Sequence, residues 1–96
     1  MKKEAITMNI KHESNKFFVE RESEELASLA YTPDNEVLTV VHTEVSTVLA
    51  GQGIGKKLVS EVVQYARDEG KTIDAQCSFA RSVIEKHPEF QDVLKE

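Results

Sequence analysis

The residues of this chain whose types and spacing suit chemistry lie between positions 42 and 87. The densest group is Gly51-Gln52-Gly53-Ile54-Gly55-Lys56-Lys57, placed between a β-type run, Val37-Leu38-Thr39-Val40-Val41, and a long amphipathic helical pattern. A glycine turn that feeds a strand into a helix lets backbone N–H groups come close to a phosphate. The helix N-terminus behind it adds a partial positive charge. The N–H groups of Gln52 to Lys56 form the expected anion nest. Lys56 stands beside it as a cation, whereas Lys57 reads equally well as solvated helix charge paired with Glu61 at i+4.

Cys77 is the only cysteine, so no internal disulfide can form. It ends a candidate strand just before a short helix, whose N-terminal N–H groups would lower a thiol pKa. The strand alternation also places it on the side of Ile73 and Ala75, where a small buried hydrophobe fits as well. His42 and Glu44 share one strand face by period two, and either can act as a base, with histidine having the better unperturbed pKa. The plainer roles are packing against a neighbouring strand for His42 and ordering the glycine turn for Glu44. His87 precedes Pro88 at a helix end, where a cation is favourable near the C-terminus. Three histidines and one cysteine show no metal-ligand spacing, so no metal site is expected.

These groups need elements to position them. Ile6, Met8 and Ile10 alternate with polar residues and read as a half-buried strand. Glu13-Ser14-Asn15 reads as a turn, and Phe17-Phe18-Val19 as the return strand of a hairpin. Ala27 to Tyr31 is a third strand candidate, Thr32-Pro33-Asp34-Asn35 a turn signal, and Val37 to Val45 the fourth strand. From Gly53 the period changes. Ile54, Leu58, Val62 and Ala66, flanked by Val59 and Val63, form one helical stripe, with Gly70 placed as its C′ residue. Thr72 to Cys77 alternates again as a fifth strand, joined to the fourth through the helix and therefore expected parallel to it. Ser78 is placed to cap a helix over about Phe79 to Lys86, ended by His87-Pro88. Phe90, Val93 and Leu94 pack a last turn, and Phe79 and Phe90 read as core. The expected fold is α+β: an antiparallel four-strand meander, a helix, a parallel fifth strand and a short C-terminal helix on a mixed sheet.

Ninety-six residues make one domain, 1–96. A net charge of −5 argues against nucleic acid, which requires a basic face. The same charge makes Lys56 and Lys57 matter locally for an anionic ligand, and the acidic remainder suits a cationic partner such as an amine. No apolar run approaches the ~20 residues of a membrane helix, and the charged Met1-Lys2-Lys3-Glu4 start is followed by no apolar segment, so cytoplasm is the expected location. An exposed meander edge allows either a monomer or a homodimer.

Spacing narrows the phosphate ligand. A Walker loop requires G-x-x-x-x-G-K-[ST], but Gly51 and Gly55 are one residue too close and Lys57 stands where the hydroxyl belongs. A dinucleotide fingerprint requires G-x-G-x-x-G, and Lys56 replaces its third glycine. The lead-in strands are joined by hairpins, and the chain is too short for two mononucleotide-binding halves.

Gly51-Gln52-Gly53-Ile54-Gly55 resembles the pyrophosphate-binding motif [QR]-x-x-G-x-[GA] of the GNAT superfamily of acetyl-CoA-dependent N-acetyltransferases. His42-Thr43-Glu44-Val45, Cys77-x-Phe79 and Ile84-x-x-His87-Pro88-Glu89-Phe90 resemble its short, single-domain YjdJ-type branch. The resemblance covers roughly residues 5–94, with its specific motifs within 42–90. It departs at Ala50, where the family carries Gln or Arg, and at Ser46 and Thr47, where many relatives carry proline. It implies a trimmed GNAT-like fold and acetyl transfer from acetyl-CoA to an unidentified amine, small molecule or protein lysine. The alternative is a non-catalytic module that binds CoA or acyl-CoA. The implied cofactor contacts are Glu44, Val45, Gly51, Gln52, Gly53, Ile54, Gly55, Lys56 and His87. Cys77, Glu44 and His42 are the implied candidates for catalysis: Cys77 takes up the acetyl group or gives a proton to CoA, and Glu44 or His42 acts as base.

Overall fold

The computed structural model describes residues 10–49, 51 and 53–95, with Val48 by its backbone alone. Ile6 and Met8 of the expected first strand, together with Ala50 and Gln52, lie outside the described residues. Five strands form one sheet in the order β1-β2-β3-β4-β5: β1 (Ile10–Glu13), β2 (Lys16–Arg21), β3 (Glu24–Asp34), β4 (Val37–Val45) and β5 (Thr72–Ala75). The first three pairings are antiparallel and β4–β5 is parallel. The helix α1 (Ile54–Glu69) makes the crossover, and α2 (Ser78–Lys86) and a 3-10 segment (Pro88–Val93) follow β5. This is the mixed α+β arrangement expected from the sequence.

The boundaries differ from expectation where strand pairing outweighs turn propensity. β3 runs through the Thr32-Pro33-Asp34 signal, because Thr32, Pro33 and Asp34 pair with Thr39, Leu38 and Val37. The reversal is left to Asn35-Glu36, with Asn35 at φ 52°. The β1–β2 reversal uses Ser14 and Asn15, both at positive φ, as a two-residue hairpin of the right hand requires. β5 stops at Ala75 rather than Cys77. Cys77 then becomes the N-cap of α2, so Ser78 is the first helical residue and not its cap.

One face of the sheet carries the core. Phe17, Val19, Leu29, Tyr31, Leu38, Val40 and Ile73 meet the α1 stripe of Ile54, Leu58, Val59, Val62, Val63 and Ala66, with Ala80 and Ile84 of α2 alongside. Gly70 closes α1 in the left-handed conformation (φ 69°), its N–H turned back to the carbonyls of Ala66 and Arg67. Arg67 holds Asp92 through two bonds of 2.9 and 2.6 Å and the Glu89 carbonyl at 2.9 Å, which ties the 3-10 segment to α1. No helix among the described residues is long and apolar enough to cross a membrane.

One irregularity sets which β4 residues face inward. Tyr31 pairs with Val40 and Ala30 with His42, so Val41 is an extra residue on β4, and it is 49% exposed. A bulge of this kind shifts the side-chain alternation by one. Before it Leu38 and Val40 point into the core. After it Thr43 and Val45 take the inner side, opposite Leu29 and Ala27, and His42 and Glu44 turn outward.

Leu58 lies at the centre of this packing, with no surface exposed. We expect Leu58→Ala to lose about 2–5 kcal/mol, the cost of a cavity in a closely packed core. Urea unfolding measures it; a loss under about 1 kcal/mol would mean that α1 does not seat on the sheet as described.

Candidate functional site

The parallel pairing of β4 and β5 ends early. Val40 pairs with Ala75, and the Val40 carbonyl then accepts the N–H groups of both Gln76 (3.0 Å) and Cys77 (3.1 Å). Beyond this point β4 continues to Val45 while the chain after β5 turns into α2. The strands part, and a cavity of about 480 Å³ opens beside the end of β4. Its walls come from three places. Val45, Thr47 and Leu49 lie on and just after β4. Gly51, Gly53, Ile54, Gly55 and Lys56 form the turn and first turn of α1. Phe79, Val83, Lys86 and His87 form one face of α2 at helical spacing.

The turn is built for an anion. Gly51 (φ 83°) and Gly53 (φ 72°) take left-handed conformations that disfavour any residue with a Cβ. Gly53 is the N-cap of α1, with no side-chain cap and no acidic residue in the first turn. The Gly53 carbonyl receives the Lys57 N–H at 3.1 Å, so the N–H groups of Ile54, Gly55 and Lys56 precede the first intrahelical bond. They face a cavity whose lining, among the described residues, includes two lysines and no carboxylate, in a chain of net charge −5. Volume, an apolar wall of Val45, Leu49, Ile54, Phe79 and Val83, and convergent donors are the attributes of a small-molecule site.

His87 is oriented by its backbone. Its Nδ1–H donates to the Val83 carbonyl at 2.8 Å, which leaves Nε2 as the second ring nitrogen for a ligand. Phe79 is 44% exposed and stands over Gly55; a Cβ built on Gly55 would meet its Cζ at 2.6 Å. Phe79 is therefore a cavity wall rather than the core residue expected from its type. Phe90 is buried, as expected.

Cys77 sits where β5 gives way to α2, half-buried against the core. Its Sγ–H lies 3.5 Å from Thr43 Oγ1, across the gap between the parted strands. Burial pushes the thiol pKa up, but the Thr43 hydroxyl, the Ala80 and Phe79 N–H groups at the start of α2 and the Thr43 backbone outweigh it. The net shift is downward.

Val45, Gly51, Gly53, Ile54, Gly55, Lys56 and His87 thus surround one cavity, and Gln52 lies outside the described residues. Cys77, His42 and Glu44 are not among its lining. His42 and Glu44 lie together, 3.8 Å apart, on the outer sheet face, where both are well exposed. Among the described residues there is no group of metal-binding side chains. Sequence reasoning missed Thr43, Thr47, Leu49, Val83 and Lys86. The spacing 79, 83, 86, 87 on one helix was the available signal for Val83 and Lys86; Thr43 and Thr47 stood out only through the family pattern, and nothing local marked Leu49.

Residues 16–93 match the profile of the GCN5-related N-acetyl-transferase family. A Staphylococcus aureus protein described as a GCN5-like N-acetyltransferase, solved by NMR in solution, is 42% identical over 92% of this chain and 88% of its own, with a TM-score of 0.78. The chain belongs to the GCN5-related N-acetyltransferase family. The ribosomal-protein-S18-alanine N-acetyltransferase of Escherichia coli shares the fold at 13% identity, over 78% of this chain and 53% of its own, with a TM-score of 0.62. The N-acetylglutamate synthase of Neisseria gonorrhoeae, solved with coenzyme A and N-acetyl-glutamate, does so at 18% identity, over 65% of this chain and 15% of its own, with a TM-score of 0.56. No curated protein matches the chain.

Two outcomes follow from this geometry. Gly55→Ala presses on the far end of an exposed side chain, which can rotate away, so its stability cost stays within about 1 kcal/mol. Gly53→Ala has room for the methyl group but must hold φ 72°, and costs about 1–2 kcal/mol. Denaturant melts of both variants, which should rank Gly53→Ala as the more damaging, check this. For Cys77, the alkylation rate should rise with pH through a midpoint below that of an ordinary thiol, and Thr43→Val should move the midpoint up. A thiol whose pKa falls on folding stabilises the native state above its unfolded pKa, and this contribution is lost as pH falls through the folded value. Iodoacetamide kinetics on the native and Thr43→Val proteins read the midpoint directly.

Proposed function

We propose that the cavity binds acetyl-CoA and that the chain transfers its acetyl group to an amine. The observation that carries this reading is the uncapped N-terminus of α1. Behind a two-glycine turn, it opens into the same cavity as Lys56, Lys86 and His87. The donor set fits the group: free N–H groups and two ammonium ions for phosphates, and an apolar wall for a flexible arm. Family membership supports acetyl-CoA as the cofactor, and coenzyme A is present in the Neisseria gonorrhoeae relative.

Acetyl-CoA supplies an activated thioester. The chain's own residues would manage the protons. Over the transfer the amine nitrogen gives up two of them. Glu44 or His42, exposed on the outer face of β4, takes the first, which an ammonium ion must lose before its nitrogen has a lone pair. The second balances the leaving thiolate. Cys77, held by Thr43 at the parting of β4 and β5, can give its proton there and recover one from the amine nitrogen. Gln52 remains a proposed contact of the nest through its backbone N–H.

A CoA-binding module without turnover is the second reading. It is favoured by one observation: Cys77, His42 and Glu44 all stand outside the cavity lining.

Coenzyme A should raise the melting temperature in a concentration-dependent way, since a ligand of the native state stabilises by mass action. Lys56→Ala and Lys86→Ala should each weaken binding by about 3- to 15-fold, the value of one charge-assisted contact at a partly exposed site. Calorimetry with coenzyme A measures this, and a flat titration of the unaltered protein would reject both readings. Release of free thiol from acetyl-CoA in the presence of amines separates them: a Cys77→Ala variant with an unchanged rate at saturating amine removes the thiol from the chemistry.

A further inference from the structure

A second concavity lies on the sheet face opposite the helices. It encloses about 440 Å³, and its lining includes Glu25, Leu26, Ser28, Glu44, Val45 and Ser46. The bulge at Val41 creates it, because it turns Glu44 to the outer side, directly across from Ser28 in the β3–β4 pairing. Residues paired in this way have Cβ atoms about 4.5–5.5 Å apart.

The polar groups here differ in how far they are already engaged. Glu25 is taken: the Lys16 ammonium reaches both its oxygens, at 2.6 and 2.8 Å, while lying over the Phe18 ring. Of this pair, Glu25 lines the groove. Glu44 has only a 3.8 Å approach from His42, beyond hydrogen-bond length, and its side chain is 75% exposed. Ser28 is the telling residue. It is 93% buried by the complement of its 7% exposure, and it is the one buried polar side chain among the described residues. No side-chain hydrogen bond of Ser28 is made within the described residues. Among the described residues no buried side-chain polar atom is sealed without a partner, so the Ser28 hydroxyl keeps its access to the groove it lines. A buried hydroxyl left open to a groove beside an under-engaged carboxylate asks for a donor.

We infer that this groove binds a primary alkylammonium ion, with Glu44 as the charged acceptor and Ser28 as the neutral one. An ammonium carries three donors and no acceptor, which matches a carboxylate and a hydroxyl facing each other. The Lys16–Glu25 pair beside it shows the same chemistry satisfied from within the chain. Val45 lines both this groove and the cavity at the end of β4, so a single strand separates them. The ammonium is the acceptor substrate only if the cofactor reading above holds; its binding to the groove stands without it.

Amide chemical shifts of the 15N-labelled protein test the site with cadaverine and with Nα-acetyl-lysine N-methylamide. The first probe represents a free diamine, the second a lysine side chain on a polypeptide. Saturable shifts at Leu26, Ser28, Glu44 and Val45 are expected with at least one of them, and the tighter probe identifies the source of the amine. The neutral isostere 1,5-pentanediol should produce none. Glu44→Gln, a change on the exposed surface, should weaken the binding about tenfold or more, and Ser28→Ala by about 2- to 10-fold. Equal shifts with the diol, saturable shifts centred elsewhere, no shifts, or undiminished binding to Glu44→Gln would each overturn the assignment. The coenzyme A titration of the unaltered protein reads the cofactor site separately, so failure there leaves this outcome interpretable, and the reverse.

Discussion

A single backbone carbonyl, that of Val40, ends the pairing of β4 with β5, and both concavities depend on what happens past it. It accepts two N–H groups, from Gln76 and Cys77, and so absorbs the last donors that β5 could offer along the strand. Among the described residues, β4 continues without a partner on that side. The gap lets α2 enter with Phe79, Val83 and Lys86 against the end of β4, and it sets Cys77 opposite Thr43. Had β5 run on to Cys77 as a paired strand, α2 would start later and the gap would be filled by backbone. Next to this carbonyl, the extra residue Val41 reverses the inside–outside order of β4. Parting and bulge together turn one strand into a wall with a different chemistry on each side.

Electrostatics divides along the same wall. The chain is acidic, yet its cavity on the helix side collects Lys56, Lys86 and the N-terminal N–H groups of α1, with no carboxylate in the lining among the described residues. The outer groove collects Glu25 and Glu44. Net charge therefore says little about either ligand, because fields at such distances are set by the nearest groups and screened beyond about 8–10 Å at physiological salt. What matters is that the α1 N-terminus has neither a side-chain cap nor an acidic first turn. An Asp or Ser at position 53 would have satisfied those N–H groups internally and stabilised the helix. A left-handed glycine there leaves them available to a ligand.

Much of the fold was legible in the sequence because it rests on periodicity. The stripe Ile54, Leu58, Val62, Ala66 with Gly70 after it gave α1 nearly to the residue, and the alternation of Val37 to Val45 gave β4. Errors fell where local propensity and tertiary pairing disagree. Pro33 and Asp34 signal a turn in isolation, but their pairing with Leu38 and Val37 keeps them in β3. Phe79 has a core residue's type, yet it stands over a glycine at a cavity mouth. Of the candidate site, the glycine turn, Lys56 and His87 could be picked out because each sits at a helix end, where residue type carries local meaning. Thr43, Thr47 and Leu49 could not, since their place follows from the bulge and from the parting of two strands joined through sixteen helical residues. His42 and Glu44 were rightly placed on one face by their spacing. Which face it was depended on Val41, and an exposed valine in a β-rich run carries no mark of a bulge.

The position of Val45 gives the arrangement its mechanical sense. Its side chain follows the post-bulge alternation inward, level with Thr43, yet its residue surface borders the outer groove next to Glu44. A group reaching along the helix-side cavity and one reaching along the outer groove would approach each other across this residue, with only backbone and a branched apolar side chain between them. The Leu26 carbonyl fixes the adjoining Ser46 N–H at 2.7 Å, so the end of β4 is held on its β3 side and open on its β5 side. Any widening needed to bring two ligands into contact therefore falls on the unpaired side, where, among the described residues, Cys77 and Thr43 make a side-chain hydrogen bond across the gap. That pair is a long sulfur contact of 3.5 Å and not a ladder bond, and it can be exchanged for a ligand at small cost.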